Sequence, residues 1–151
     1  MFGFTVKLTK TRLSVILAVI LIPLLIFSSI YIHRLTHKEN TSLEAQTTAK
    51  RVEFLKNYGF EADKNSETKK RITIPSEFDN VYTSYNSIQK SMGFDLEDFK
   101  GEKVDLYSLK ITNYPKDSKN VYATILVKNG KIIGGDIHST ELNGFMHGFK
   151  M

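Results

Sequence analysis

The sequence predicts an α+β fold: one N-terminal transmembrane helix, then a small domain of order α-β-β-α-β-β-β whose antiparallel sheet is covered by a long helix. Three observations predict it. A twenty-residue run from Leu13 through Ile32 carries no charge. Phe78, Val81, Tyr82, Tyr85, Ile88 and Met92 repeat at helical spacing. Asn129-Gly130 joins two β-rich runs, and both residues readily take the positive φ of a two-residue hairpin turn.

As a helix the apolar run is about 30 Å long, the thickness of a bilayer's hydrocarbon core. Its fourteen Leu, Ile, Val and Phe residues each favour insertion by roughly 0.3–0.6 kcal/mol near a helix centre. Pro23 kinks the span without ending it. Lys7, Lys10, Arg12 and the amino terminus precede the run, against Arg34, Lys38 and Glu39 after it. That bias makes residues 1–12 a cytoplasmic basic tail and puts the rest of the chain outside. A cleaved export signal has an apolar region of only about 7–15 residues followed by an A-x-A-like site; Phe27-Ser28-Ser29-Ile30-Tyr31 has small residues at the wrong spacing. The expectation is a single-pass signal-anchor in the cell membrane, with lipid as the partner of residues 13–32. The chain has no Cys, which excludes a lipidated cysteine and disulfides, so the exported core must be stable without cross-links.

Residues 33–46 read as a polar linker, leaving 47–151 as one extracytoplasmic domain. Three of the 21 basic residues precede the apolar run, so the net charge of +5 falls to +2 outside it. No nucleic-acid partner is expected from so small an excess. Lys69-Lys70-Arg71 is the one dense basic cluster and reads as a solvated strand edge.

In order, residues 47–58 form a short amphipathic helix with Ala49, Val52, Leu55 and Tyr58 on one stripe and Gly59 as its stop. Residues 60–63 and 69–74 read as two short strands of a hairpin around Lys64-Asn65-Ser66-Glu67, ended by Pro75. Ser76 is placed to cap the long second helix, whose end at Met92-Gly93-Phe94 repeats the Tyr58-Gly59-Phe60 pattern of the first. Residues 94–101 make a turn that packs Leu96 and Phe99. Residues 102–114 form a strand in which Val104 and Leu106 share one parity and Tyr107, Leu109 and Ile111 the other; a bulge near Leu106 would reconcile them. In the hairpin of residues 121–128 and 131–139, an unbroken ladder puts Asp136 and His138 on the apolar face. A one-residue bulge at Gly134-Gly135 would turn Ile137 inward and Asp136 and His138 outward instead. Leu142, Phe145, Met146 and Phe149 make the tail too apolar to be free, so it docks on the domain.

Several segments carry a family resemblance: Ile74-Pro75-Ser76-Glu77-Phe78, Val81-Tyr82 through Tyr85-Asn86, Gly93-Phe94-Asp95-Leu96, Asn113-Tyr114-Pro115, Ile133-Gly134-Gly135-Asp136 and Leu142-Asn143-Gly144-Phe145-Met146-His147-Gly148. Over residues 51–149 the chain resembles the family of small proteins from clostridia and related bacteria catalogued as domain of unknown function 4830. The resemblance implies a bacterial membrane-tethered domain and supplies no activity, cofactor or catalytic residue.

The residues with the most chemistry are Asp136, His138, Glu141 and His147, types that bind zinc or do acid-base work if the tail folds back over the last strand. Their spacing matches no HExxH-type motif. The plainer reading makes Asp136 an edge acceptor, His147 a backbone partner in the docked tail and His138 exposed. Ser139 beside His138 lacks the glycine elbow of a nucleophile. Tyr107, Tyr114 and Tyr122 would mark a binding face if exposed together, whereas Tyr58, Tyr82 and Tyr85 fall on core stripes. The expected function is therefore a membrane-tethered, non-enzymatic module that binds a peptide, an envelope polymer or a neighbouring membrane protein, with no cofactor. The alternative is a metal-assisted hydrolase using Asp136, His138 and His147.

Overall fold

The computed structural model describes residues 43–115 and 120–150. Helix α1 (Thr48–Asn57) starts where Thr47 Oγ1 accepts a hydrogen bond from the amide of Lys50. It buries Arg51, Phe54 and Leu55, with Tyr58 half-buried, a stripe at i, i+3, i+4 and i+7. Ala49 is exposed, so the buried face is rotated from the expected one and Arg51 occupies it. At the far end Gly59 takes φ 86°. The amide of Phe60 then bonds the carbonyl of Leu55 and that of Gly59 the carbonyl of Lys56, which is the Schellman pattern.

The expected hairpin after α1 is instead one long strand, β1 (Ala62–Thr73), paired along its length with β2 (Lys103–Ile111). Asp63 lies opposite Lys110 and Thr68 opposite Ser108, so residues 64–67 bulge against Leu109. Side chains replace the missing ladder there. Ser66 Oγ donates to the carbonyl of Asp63 (2.6 Å) and accepts from the amide of Lys110 (2.8 Å), while Asp63 accepts from the amide of Asn65 (2.9 Å). A polar run that reads as a turn is thus a satisfied detour within a strand.

Helix α2 (Asn80–Ser91) is capped by Asp79, whose carboxylate accepts from the amide of Tyr82, and not by Ser76. Its buried residues are Asn86 and Gln89; Tyr82, Tyr85, Ile88 and Met92 are half-buried and Val81 is 76% exposed. The apolar stripe read from the sequence therefore does not lie wholly against the sheet. Asn86 bridges to the following 3₁₀ turn (Leu96–Phe99), donating to Asp95 (2.9 Å) and accepting from the amide of Leu96 (2.8 Å).

The sheet has the order β1-β2-β3-β4-β5, with β3 (Val121–Lys128), β4 (Lys131–Ser139) and the short β5 (Met146–His147), every neighbouring pair antiparallel. The β3–β4 turn has positive φ at Asn129 and Gly130, as its sequence requires. Both sheet faces are covered. Leu109, Ile111, Val121, Ala123, Ile125 and Ile137 pack with Phe54 and Leu55 of α1, whereas Val104, Leu126 and Ile133 pack with Ile74, Leu96, Tyr82 and Tyr85 on the α2 side. The two parities of β2 thus need no bulge near Leu106, and Asp105 through Lys110 pair regularly with β3. In β4 the extra residue is Ile133, since Ile132 faces Val127 and Gly134 faces Leu126; the ladder runs regularly through both glycines. The expected bulge at Gly134-Gly135 is therefore absent; the parity shift that turns Ile137 inward comes from Ile133 instead, and it leaves Asp136 buried.

Space, more than backbone freedom, explains Gly134-Gly135. A Cβ on Gly134 would meet Gln89 Oε1 at 2.7 Å, and one on Gly135 would meet the carbonyl oxygen of Thr124 at 2.1 Å and the Phe149 ring at 2.5 Å. One glycine admits α2 and the other admits the tail. Phe149 is fully buried beside Phe54 (5.0 Å between ring centroids) and Tyr58 (5.6 Å), a burial that contributes about 1.5–3 kcal/mol. Phe145 is half-buried, but Leu142 is 96% and Met146 50% exposed, so only part of the expected tail docking holds.

Along the outer side of β4 the amide of Ile132 bonds the carbonyl of Leu43 (2.7 Å), that of Gly135 bonds Gln89 Oε1 (2.8 Å) and that of Ser139 bonds the carbonyl of Phe145 (3.0 Å). Glu44 bridges Lys131 and Ala45 is buried, so residues 43–45 belong with the folded domain and not with the polar linker. Arg51 holds this entry segment. Its guanidinium, 3% exposed as a residue, donates to the carbonyl of Ala45 (2.5 Å), makes a two-pronged pair with Glu67 (2.8 and 2.5 Å) and lies 3.6 Å over the Tyr107 ring. Among the described residues no helix is long and apolar enough to cross a membrane; residues 13–32 lie outside them.

Candidate functional site

One side of α2 and the ends of β4 and β5 bound a cleft. Its outer part, about 630 Å³, is an open trough walled by Val81, Tyr82, Tyr85, Ile88 and Met146. Its inner part, about 210 Å³, reaches the sheet at Ile72, Leu106, Leu126, Thr124, Asp136 and His138, and shares Tyr82, Tyr85 and Met146 with the trough. Helix geometry accounts for the trough: Asn86 and Gln89 form the buried side of α2, and residues 81, 85 and 88 share the side next to it.

Asp136 forms the polar floor. It is 3% exposed, because the face to which Ile133 shifts it is roofed by α2, not open to water as the bulge alone would suggest. Tyr85 donates its hydroxyl to Oδ2 (2.9 Å), and His138 Nδ1 lies 2.7 Å from Oδ1. A carboxylate only accepts, so Nδ1 of His138 carries a proton and its Nε2 is the remaining functional atom; Nε2 makes no hydrogen bond among the described residues. Burial, and then the charge of Asp136, push the Tyr85 hydroxyl far above the usual tyrosine range, keeping it a donor. Tyr122 stacks on His138 at 6.3 Å. The arrangement can orient an imidazole and present one nitrogen to a bound group.

The four candidate metal ligands do not converge. His147 pairs with Ile137 and so belongs to the opposite pleat from Asp136 and His138. Both its nitrogens are engaged: Nδ1 donates to the carbonyl of Gly148 (2.6 Å), which leaves Nε2 to accept from the Tyr114 hydroxyl (2.9 Å). Its ring stacks with Phe145 at 5.5 Å. Glu141 is exposed in the turn before β5. Among the described residues no three His, Asp or Glu side chains could hold a metal ion, and a hydrolase built from Asp136, His138 and His147 would have to span both sheet faces. The three candidate tyrosines are likewise divided. Tyr107 lies beneath Arg51 on the α1 face, Tyr122 beside His138 on the α2 face, and Tyr114 in the ring cluster of Phe60, Phe145 and His147.

The residues missing from the sequence-derived site are Tyr85, Tyr82 and Met146. The first two hide behind a helical stripe that suits a core equally well, and Met146 behind its place in a tail. No curated protein and no solved structure matches the chain. The family model described as a domain of unknown function (DUF4830) matches residues 54–137, more than half of the 151 residues, and the chain belongs to that family.

Proposed function

We propose that this protein is a membrane-tethered extracytoplasmic binding module, anchored by residues 13–32 with its N-terminus inside, which takes its ligand in the cleft between α2 and β4. The cleft itself carries the reading. Apolar walls around a few fixed polar groups are the usual make-up of a recognition site, and Val81, a large apolar residue left in water, stands at its mouth. The run of twenty uncharged residues supports the tether. A peptide, an envelope polymer or a neighbouring membrane protein could each present the group that enters.

Because the chain has no Cys, single cysteines test the orientation directly. Lys150→Cys should react with an impermeant maleimide in intact cells, and Thr5→Cys only after permeabilisation. A photoreactive amino acid at Val81 should give a saturable adduct that the same group at Lys56 does not. Protection of Lys150→Cys would overturn the orientation, and equal adducts from both sites would overturn the cleft.

A further inference from the structure

We propose that the cleft binds an uncharged amphiphile, an apolar chain lying along α2 with a hydroxyl head hydrogen-bonded to His138 Nε2; this rests on the cleft being the binding site. Two independent observations carry it. The outer trough, about 630 Å³, has the size of a small-molecule cleft and is lined by Val81, Tyr82, Tyr85, Ile88 and Met146 with Asn80 and Ser84, so no charged side chain touches it. The inner end, by contrast, holds a built polar array, in which Tyr85 and His138 both engage the buried Asp136 and leave Nε2 as the polar atom without a partner among the described residues.

The charge of the head follows from the same groups. No Lys or Arg lines either part of the cleft, so a carboxylate or phosphate head would meet no fixed cation there and would lie beside the Asp136 carboxyl group. A cationic head fares no better, because each oxygen of Asp136 already takes a hydrogen bond and the carboxylate is buried. A neutral hydroxyl satisfies Nε2 without adding charge to a poorly solvated floor. The ligand class is thus a long-chain alcohol or an uncharged lipid with a free hydroxyl.

The test uses the full chain in nanodiscs of zwitterionic lipid and a ten-carbon alcohol carrying a terminal diazirine. Labelling should saturate, map to residues 80–92 or to Met146, and be displaced at pH 8 at least fivefold more effectively by decanol than by decanoate. His138→Phe, which keeps a ring but removes Nε2 together with the Nδ1 partner of Asp136, should weaken labelling by at least about threefold to tenfold, the worth of one hydrogen bond, in protein shown by its thermal melt to be folded. Val81→Asp alters an exposed position in the first turn of α2, where an acidic side chain suits the helix dipole, and should abolish labelling while the fold remains. Equal displacement by decanoate, labelling spread over the chain, or labelling unaffected by either substitution would overturn the proposal. If labelling fails while the photoreactive group at Val81 still gives its specific adduct, the amphiphile is wrong and the binding-module reading stands; if both fail, both fall.

Discussion

Replacing Tyr85 with Phe deletes one oxygen and nothing else from the cleft. That oxygen donates to Asp136 Oδ2 at 2.9 Å, and Asp136 is 3% exposed, so the carboxylate loses one of its two side-chain donors. A hydrogen bond to a charged group contributes about 1.5–3 kcal/mol, and an underpaired buried acceptor carries its desolvation cost in full. Water entering from the inner cavity would recover part of this loss, which places the expected destabilisation near 1.5 kcal/mol. For a domain of this size that lowers Tm by about 6–12 °C. Urea unfolding should show the midpoint falling with the slope m unchanged, because the surface exposed on unfolding is the same. Combining Tyr85→Phe with Asp136→Asn isolates the contact: the double variant should be more stable than the two single losses imply, by at least about 1 kcal/mol. A Tyr85→Phe protein within about 0.5 kcal/mol of the parent, with no coupling to Asp136→Asn, would refute the role given to this bond.

Three further outcomes follow from the packing. Gly135→Ala should destabilise more than Gly134→Ala in thermal melts, since the added Cβ meets the fixed carbonyl of Thr124 in the first case and, in the second, the Gln89 side chain, which can give way only by straining its bond to the Gly135 amide; the reverse order would contradict the register of β4. Arg51→Met should cost about 3 kcal/mol by leaving the Glu67 carboxylate without its cation and held only by the Thr48 hydroxyl, while Arg51→Met with Glu67→Leu should recover most of it, as read from denaturant midpoints. Asp95 is held below its ordinary carboxylate range by the Asn86 amide and then the Glu97 backbone. The unfolded chain therefore takes up that proton first as pH falls, so the contribution is complete above the ordinary value of 3.8 and is lost as pH drops through the folded value. Asp95→Asn should flatten the acid limb of a midpoint-against-pH curve between about pH 2 and 5.

Punctuation was the most legible layer of this chain. Gly59, Gly93 and Asn129-Gly130 declare their positive φ through residue type alone, and the two helices end and the last hairpin turns where they should. Polar segments were less transparent, because Lys64-Asn65-Ser66-Glu67 has turn composition while its side chains complete a strand. Periodicity also identifies parity without saying what covers each face. Asp136 and His138 follow one pleat in any reading, yet only the position of α2 makes that pleat a buried one. Residue type correctly draws attention to Asp136 and His138, which do meet, whereas closeness in sequence misleads for His147, one strand away and on the other side of the sheet. Arg51 escapes notice because arginine is rarely buried; its spacing to Phe54, Leu55 and Tyr58 is the available sign.

The outer side of β4 bears on how many copies can share a small area. An uncovered strand edge is a template for another chain's backbone. Here three amides at successive points along that edge are each engaged differently, by the entering chain at Leu43, by a helix side chain at Gln89 and by the returning tail at Phe145. At the other margin of the sheet β1 exposes Lys69, Lys70 and Arg71, which repel a like neighbour. Both margins of the sheet thereby resist joining strand to strand, and loss of the Leu43 or Gln89 contact should first show itself as aggregation.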